Sequence, residues 1–455
     1  MIKTFKMLLI GFLLTSVIPA SAGSFRLKTG KAVGEKLSIA INAGIPLKLT
    51  WSDGTIEEMM STGDLQEITV KTNTLTVSSE KTITALYLAE NELTELVVND
   101  VASTLRRLYC SDNKLKTLNL SSCSELISLD CQGNELETLS IGSAQMEDLN
   151  IADNKLTKHG LSSATNAANV TSLVCANNKI TTVSYLSSMT GLKALFCQGN
   201  QLSSLGTSKC VELQNVLAFD NKLTSFNSAP LVNLKNLWIG GNQLETLDLS
   251  AVKTLEGVTA QGNQLQSITW NSALTSKKAL KYVDLSDNAL FFNSLPTIYN
   301  AKDGINVDAY IGNQEPYQLL TDINVNQTSD NMKPKLGTNG MNDAISTNFT
   351  IQDQNGQILE KGEDYKYSAN RFIFLKAFNG VTIAVTSSNY PDVTLTTLPF
   401  NVIDPLAVQQ IETDAVEAVG PVYDLQGRRV SNSGSHNPNL SKGLYIVNGK
   451  KIVIR

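Results

Sequence analysis

Histidine is almost missing from this chain. Only His159 and His436 occur in 455 residues, both in loop-like stretches, which leaves little material for histidine-based metal sites or for Ser/His and Cys/His catalysis. No basic cluster is present. Lys and Arg number 37 against 42 Asp and Glu, a net charge of −5, and such a balance argues against nucleic acid as a partner. There is no phosphate-cradling glycine loop, no zinc-ligand spacing and no nucleophile elbow. Long hydrophobic runs are also scarce. The longest, Met7–Ile18, falls short of the roughly 20 residues that span a bilayer. It follows Lys3 and Lys6 and precedes Ala20-Ser21-Ala22, the layout of a secretory signal peptide over residues 1–22, cleaved near Ala22. Loss of the two lysines leaves 35 basic against 42 acidic side chains, a net charge of −7. No cysteine follows the apolar run to carry a lipid.

What is present is a repeat. Asparagine recurs at Asn91, Asn113, Asn134, Asn154, Asn178, Asn200, Asn221, Asn242, Asn263 and Asn288, each inside a unit of the form LxxLxLxxNxLxxL, with a degenerate copy at Asn313. The spacings run from 20 to 25 residues, inside the range of short solenoid repeats. In LKALFCQGNQLSSL, Leu195 and Cys197 alternate with Phe196, as a strand buried on one face requires. Asn200 falls where the chain turns inward, and its amide is suited to backbone groups the turn leaves unpaired. The second half of many units (Leu115, Leu118 and Leu120; Leu244, Leu247 and Leu249) favours an extended convex segment over a full helix. One repeat cannot bury its own apolar face, so neighbours must complete it. This register resembles the leucine-rich repeat family, nearest its internalin-like short-repeat members, over about residues 83–315. The resemblance implies a mainly β solenoid of about 11 repeats, with strands spaced about 4.8 Å apart in a ladder roughly 50 Å long.

Flanking segments complete a mainly β chain. Residues 23–82 alternate apolar and polar side chains, with a turn at Ser52-Asp53-Gly54, and read as an N-terminal β-sandwich cap docked on the first repeat. Trp51-Ser52-Asp53-Gly54 also resembles the WGDG of β-rich modules in Bacteroidetes surface proteins. The repeat domain is placed at 83–317. Residues 318–404 read as successive strands with turns at Asn355-Gly356 and Asn379-Gly380, an immunoglobulin-like β-sandwich. The segments VYDLQGRRV (422–430) and LSKGLYIVNGKKIVIR (440–455) make 405–455 a small C-terminal β-module with a hairpin about Asn448-Gly449. They resemble the C-terminal sorting domain of the Bacteroidetes type IX secretion pathway, which implies passage across the outer membrane, with the tail removed or used for attachment.

The register fixes which side chains leave the core. The residue four before each asparagine lies between two buried ones and is expected on the concave face: Tyr87, Tyr109, Asp130, Asn150, Val174, Phe196, Leu217, Trp238, Thr259 and Asp284. Tyr282 lies two residues before this stripe. Phe219 lies two beyond it, where a strand bend would turn it inward. Val174 to Trp238 is an unbroken apolar run, and exposed apolar patches mark interaction surfaces, with Trp and Tyr the preferred anchors. Two readings stay open: a docking face lined by Tyr87, Tyr109, Val174, Phe196, Leu217, Phe219, Trp238 and Tyr282, or rings that merely pack as a cross-strand ladder. Asp130, Asp148 and Asn150 cluster on the same face. A carboxylate pair there brings glycoside hydrolysis or a weak cation site to mind, but a solvated polar patch explains it as well. Asp353-Gln354-Asn355-Gly356 is read as a turn.

Cys110, Cys131, Cys175 and Cys197 each lie three before an asparagine, in the column usually held by Leu. In-register parallel strands point adjacent thiols the same way, which suits a disulfide badly, so buried free thiols are expected. Cys123 and Cys210 lie four repeats apart and should not meet. The expectation is a secreted or outer-membrane-surface binding and adhesion protein, not an enzyme. It needs no cofactor or metal and acts as a monomer without a transmembrane segment, docking a protein or glycoprotein of a host or neighbouring cell surface. A structural spacer without a ligand, and a surface polysaccharide hydrolase, are the alternatives.

Overall fold

The computed structural model describes residues 23–157 except 45, 167–274, 280–300, 305–405, 421–431 except 425, 443–447 and 450–454. The signal-peptide reading of 1–22, both histidines and the Asn448-Gly449 turn fall outside the described residues. The chain divides into two compact units. The first comprises 1–317 with 334–347 and 386–395; the second comprises 318–333, 348–385 and 396–455.

The first unit is a leucine-rich repeat solenoid, and the chain as a whole is mainly β. Its spine is a 13-stranded sheet. Strands three residues long, from Ala85–Tyr87 through Ala194–Phe196 to Asp308–Tyr310, pair in parallel, each repeat with the next. From Ala85–Tyr87 to Tyr282–Asp284 the central residue of each strand is dry and the last one is wet to some degree, as at Ala194–Leu195–Phe196. Leu108, Leu129, Leu149, Leu173, Leu195, Val216, Leu237, Val258 and Val283 are all buried on this row. Burying each such side chain contributes about 1.5–3 kcal/mol. On the opposite side of the coil the chain is extended in some repeats, with parallel pairs Thr117–Leu120 with Thr138–Ile141 and Thr246–Asp248 with Ser267–Thr269, and forms 3-10 turns in others, at Ser184–Ser188 and Thr207–Lys209.

Asparagine closes each turn. The Oδ1 of Asn113 accepts the N–H groups of Asn91 at 3.0 Å and Leu93 at 2.8 Å in the preceding repeat. Its Nδ2 donates to the carbonyls of Leu88, Cys110 and Ser111 at 2.9–3.0 Å. Equivalent bonds recur through Asn288. The residue just before each ladder amide is left-handed, with φ between 52° at Asn177 and 66° at Gly199. That explains why Asp, Asn and Gly dominate the position, since these types tolerate that region best.

The eleventh rung differs from the sequence reading. Asn313 is the left-handed turn residue, with φ of 57°, and Gln314 supplies the amide. Its Oε1 accepts Leu290 N–H at 2.8 Å, and its Nε2 donates to Leu285 and Ile311 carbonyls at 2.7 and 2.9 Å. Gln314 stands four residues after Tyr310, the same offset that each ladder asparagine keeps from its stripe residue.

At its start the ladder runs into the N-terminal strands. Asn91 exchanges bonds with Ser38, accepting its N–H at 2.8 Å and donating to its carbonyl at 2.7 Å. Strand Lys36–Asn42 joins the long sheet antiparallel to Ala85–Tyr87. Strand Gly23–Thr29 pairs with Leu93–Val97 of the first repeat, so the N-terminal strands cover the apolar end by weaving into it. At the other end, Trp270 Nε1 donates to the Ser294 carbonyl at 2.7 Å. Gly340 lies so close that a Cβ would stand 2.8 Å from both Ser294 C and Trp270 Cδ1, and Tyr390 OH donates to the Pro296 carbonyl at 2.9 Å.

In the second unit, strand Ile323–Asn324 runs parallel to Phe400–Ile403, which pairs antiparallel with Phe378–Ser387. The hairpin Tyr365–Ser368 with Arg371–Phe374 adds a ring cluster, Phe372 against Phe374 at 6.1 Å. Asn355-Gly356 is a turn, Gly356 N–H donating to the Asp353 carbonyl. Asn379-Gly380 does not separate strands as expected. It lies inside Phe378–Ser387 at a register shift, where Gly380 has φ of 56° and its N–H reaches Asn401 Oδ1 at 3.0 Å. The local turn signal is absorbed as a bulge, because pairing with Phe400–Ile403 continues on both sides. Near the C-terminus, Arg429–Ser431, Val422–Tyr423, Gly443–Val447 and Lys450–Ile454 form a four-stranded sheet in that order.

Candidate functional site

Strand pairing places the stripe residues side by side. Tyr87, Tyr109, Asp130, Asn150, Val174, Phe196, Leu217, Trp238, Thr259 and Asp284 stand opposite one another in unbroken succession. None of them is buried, whereas both sequence neighbours of each are. Trp238 is 38% exposed. Phe219 is half-buried on the same face, not turned inward. Tyr282 is half-buried, two residues before Asp284. The sequence reading missed Tyr310. It pairs with Asp284, is 54% exposed, and its ring lies 6.0 Å from that of Tyr282. Its position was hidden because the register there was counted from Asn313 instead of Gln314.

The face has three chemically distinct stretches. At the N-terminal end Tyr87 and Tyr109 stack, with centroids 4.8 Å apart and planes 10° from parallel, and Tyr109 OH lies 3.3 Å from Ser128 Oγ. Here the rings do pack on each other. The next stretch is acidic and amide-rich. Asn150 Nδ2 donates to Gln132 Oε1 at 2.9 Å, and Asp130 Oδ1 accepts Gln132 N–H at 3.2 Å. Burial raises the Asp130 carboxyl above the usual carboxylate range, and the Asp112 charge adds to this. Asp148 is raised by burial and by Glu147, and Asp112 by burial and by Glu90 and Asp153. Among the described residues no group of His, Cys, Asp and Glu has the arrangement of a metal site.

The third stretch is apolar: Val174, Phe196, Leu217 and Trp238 side by side, with Phe219 adjoining. Leu217 stands between Phe196 and Trp238, so these two rings are held apart rather than stacked on each other. Backbone N–H and C=O groups beneath them are consumed by strand pairing on both sides. The patch therefore offers side chains on a rigid support and little else.

All six cysteines are free and buried. Burial pushes Cys175 up to about 12 and Cys123 and Cys210 to about 11. Cys110, Cys131 and Cys197 shift the same way. Thiols raised this far are not nucleophiles at neutral pH. Cys210 Sγ donates to the Leu186 carbonyl at 3.1 Å. No helix among the described residues is long and apolar enough to cross a membrane.

No protein-family model matches the sequence, and no curated protein matches it. Among solved structures, the chain is similar to the functional domain of InlJ from Listeria monocytogenes, which includes a cysteine ladder, at 19% identity over 75% of this chain and 94% of that one, TM-score 0.35. It is similar to the internalin InlF of Listeria monocytogenes at 19% identity over 54% and 73%, TM-score 0.42. A third is the Arabidopsis receptor kinase HAESA, solved with the peptide hormone IDA and the co-receptor SERK1, at 24% identity over 46% and 39%, TM-score 0.39.

Proposed function

We propose that this chain is a non-catalytic binding protein, exported to the cell surface or beyond, which docks a protein or glycoprotein partner on the outward face of its long sheet. One observation carries the reading: Trp238 stands 38% exposed at the end of a contiguous apolar row on a sheet whose strands are paired on both sides. Solvent-facing rows are ordinarily polar, and an apolar row with a Trp at its end has the composition of a binding anchor. Fixed rings lose little entropy when a partner lands, so most of the contact energy is available for affinity. Val174, Phe196, Leu217 and Phe219 form the centre with Trp238, and Tyr87, Tyr109 and Tyr282 extend the contact toward the two ends. Export rests on the signal-like N-terminus and on the sorting-like tail, whose four paired strands suit a compact terminal module.

The test is cell binding. Labelled protein is applied to epithelial cells and to neighbouring bacterial species, as wild type and as Trp238→Ala. The expected loss is about thirtyfold in apparent affinity, the equivalent of about 2 kcal/mol, with an unchanged melting temperature. Equal binding by the variant removes the docking reading. Deleting residues 421–455 should leave the protein in the periplasm; normal surface display of that deletion contradicts the sorting role.

A further inference from the structure

We infer that the central apolar patch takes a neutral oligosaccharide, the glycan portion of the docked partner. This rests on the docking reading above and names the chemistry of what is docked.

Three observations lead there. First, the patch carries no charge. On the five consecutive strands from Ser172–Val174 to Gly257–Thr259, and at the outward residue two beyond each, every outward side chain is apolar or neutral. Charge returns only at the margins, with Lys193, Lys235 and Glu256 on one side and Asp220 on the other, and on the flanking strands with Asp148 beside Ser172 and Asp284 beside Thr259. A sulfated or uronic glycan, or a charged peptide, has no partner within the patch.

Second, besides the hydroxyls of Ser172 and Thr259 the neutral polar groups are carboxamides, and two of them are unsatisfied. The Oε1 atoms of Gln198 and Gln261 are buried and have no hydrogen-bond partner. Gln198 follows Phe196 by two residues on the same face. The Gln261 carboxamide lies on the bare backbone of Gly240, where a Cβ would stand 2.4 Å from its Oε1, and Gly240 follows Trp238 by two. To meet a donor above the patch, either oxygen must turn outward with its amide. An acceptor that has lost water without gaining a donor favours a ligand that supplies one. Asn236 Nδ2 already donates to Asn215 Oδ1 at 2.8 Å, leaving Asn236 Oδ1 as an acceptor and Asn215 Nδ2 as a donor. Hydroxyl groups match such a set, because a hydroxyl both donates and accepts as a carboxamide does. The C–H edges of a pyranose fit the electron-rich face of Trp238.

Third, the patch has no backbone to offer. An extended peptide gains affinity by adding to a free sheet edge, but these strands are paired on both sides. A ligand here must be read by side chains alone.

The direct probe is a set of neutral gluco-, manno- and galacto-oligosaccharides, with sulfated and uronic counterparts, titrated by calorimetry into the full chain. Neutral members should bind with an affinity that does not change with salt, as uncharged contacts require. Trp238→Ala, Gln198→Leu and Gln261→Leu should each weaken them roughly tenfold or more, with melting temperatures held; a variant that fails to fold is replaced by its partner glutamine variant. Binding confined to acidic sugars, no binding of any neutral member, or equal binding by all three variants overturns the inference. Periodate treatment of the cells that bind the protein separates the two readings. If Trp238-dependent cell binding survives periodate but not protease, docking stands and the partner is recognised by its polypeptide. If cell binding never depended on Trp238, the docking reading itself is gone.

Discussion

Asn200 holds Ile180 of the preceding repeat. Its Oδ1 accepts the Ile180 N–H at 3.0 Å while its Nδ2 donates to the carbonyls of Cys175 and Cys197 at 2.9 and 3.1 Å. One side chain thus satisfies main-chain groups of two repeats, all out of water. Asn200→Leu keeps the volume but removes every one of these bonds. With each orphaned buried group costing about 1–3 kcal/mol, the variant should lose about 3 kcal/mol or more in urea denaturation. A loss under about 0.5 kcal/mol would mean that solvent reaches the rung.

Leu195 and Phe196 are sequence neighbours in different surroundings, one fully buried and the other partly wet. Leu195→Ala should cost about 2–5 kcal/mol through the cavity it leaves. Phe196→Ala should cost under about 1 kcal/mol. Thermal unfolding of the two variants decides this, and equal losses would contradict the alternation.

Asp130 gives the first unit a pH dependence of definite sign. Its folded-state carboxyl is raised, chiefly by burial, so the folded protein keeps the proton to a higher pH than the unfolded chain does. Stability attached to this group is therefore greatest below the ordinary carboxylate range. It falls as pH rises through that range to the raised value, and stays lower beyond it. Asp130→Asn removes the charge while keeping an acceptor for Gln132 N–H. The variant should be more stable than wild type at pH 7, by roughly 0.5–1 kcal/mol, and indistinguishable from it near pH of about 3. A variant less stable at neutral pH would show the carboxylate to be favourably placed.

The six thiols should all react with a colorimetric reagent in denaturant. In the native protein they should react only at the rate of unfolding, since all are buried and their deprotonation is suppressed. Fewer than six in denaturant would reveal a disulfide.

The repeat was legible because burial alternates with period two along each strand and the asparagine marks the phase. From those two facts Leu195 and Phe196 could be assigned to opposite sides with no structure in hand. The last rung was not legible, because a glutamine, Gln314, holds the ladder position there and the asparagine beside it, Asn313, is the left-handed turn residue, so counting from Asn313 hid Tyr310. Nor was the bulge at Gly380, since an Asn-Gly pair is a strong local turn signal and only pairing with a distant strand overrides it. The N-terminal weave was hidden for a similar reason: nothing within residues 36–42 announces that Ala85–Tyr87 is their partner. In the candidate site the apolar row was visible residue by residue. The orphaned Gln198 and Gln261 oxygens depend on side-chain packing that no periodicity encodes.

Every rung from Asn113 to Asn288 reaches backward to the previous coil with the same donors and acceptors, whatever the identity of the coil. The asparagine junction is therefore alike at each boundary, although the coils between differ in length from 20 to 25 residues. Removing or adding one complete coil between two asparagines restores the same junction, whereas removing half a coil strands a carboxamide among carbonyls it cannot reach. Such a chain can lengthen or shorten its binding surface through unequal recombination of its gene, in whole steps of one strand spacing. The Trp238 end could then drift away from the tyrosine end without the scaffold having to be rebuilt.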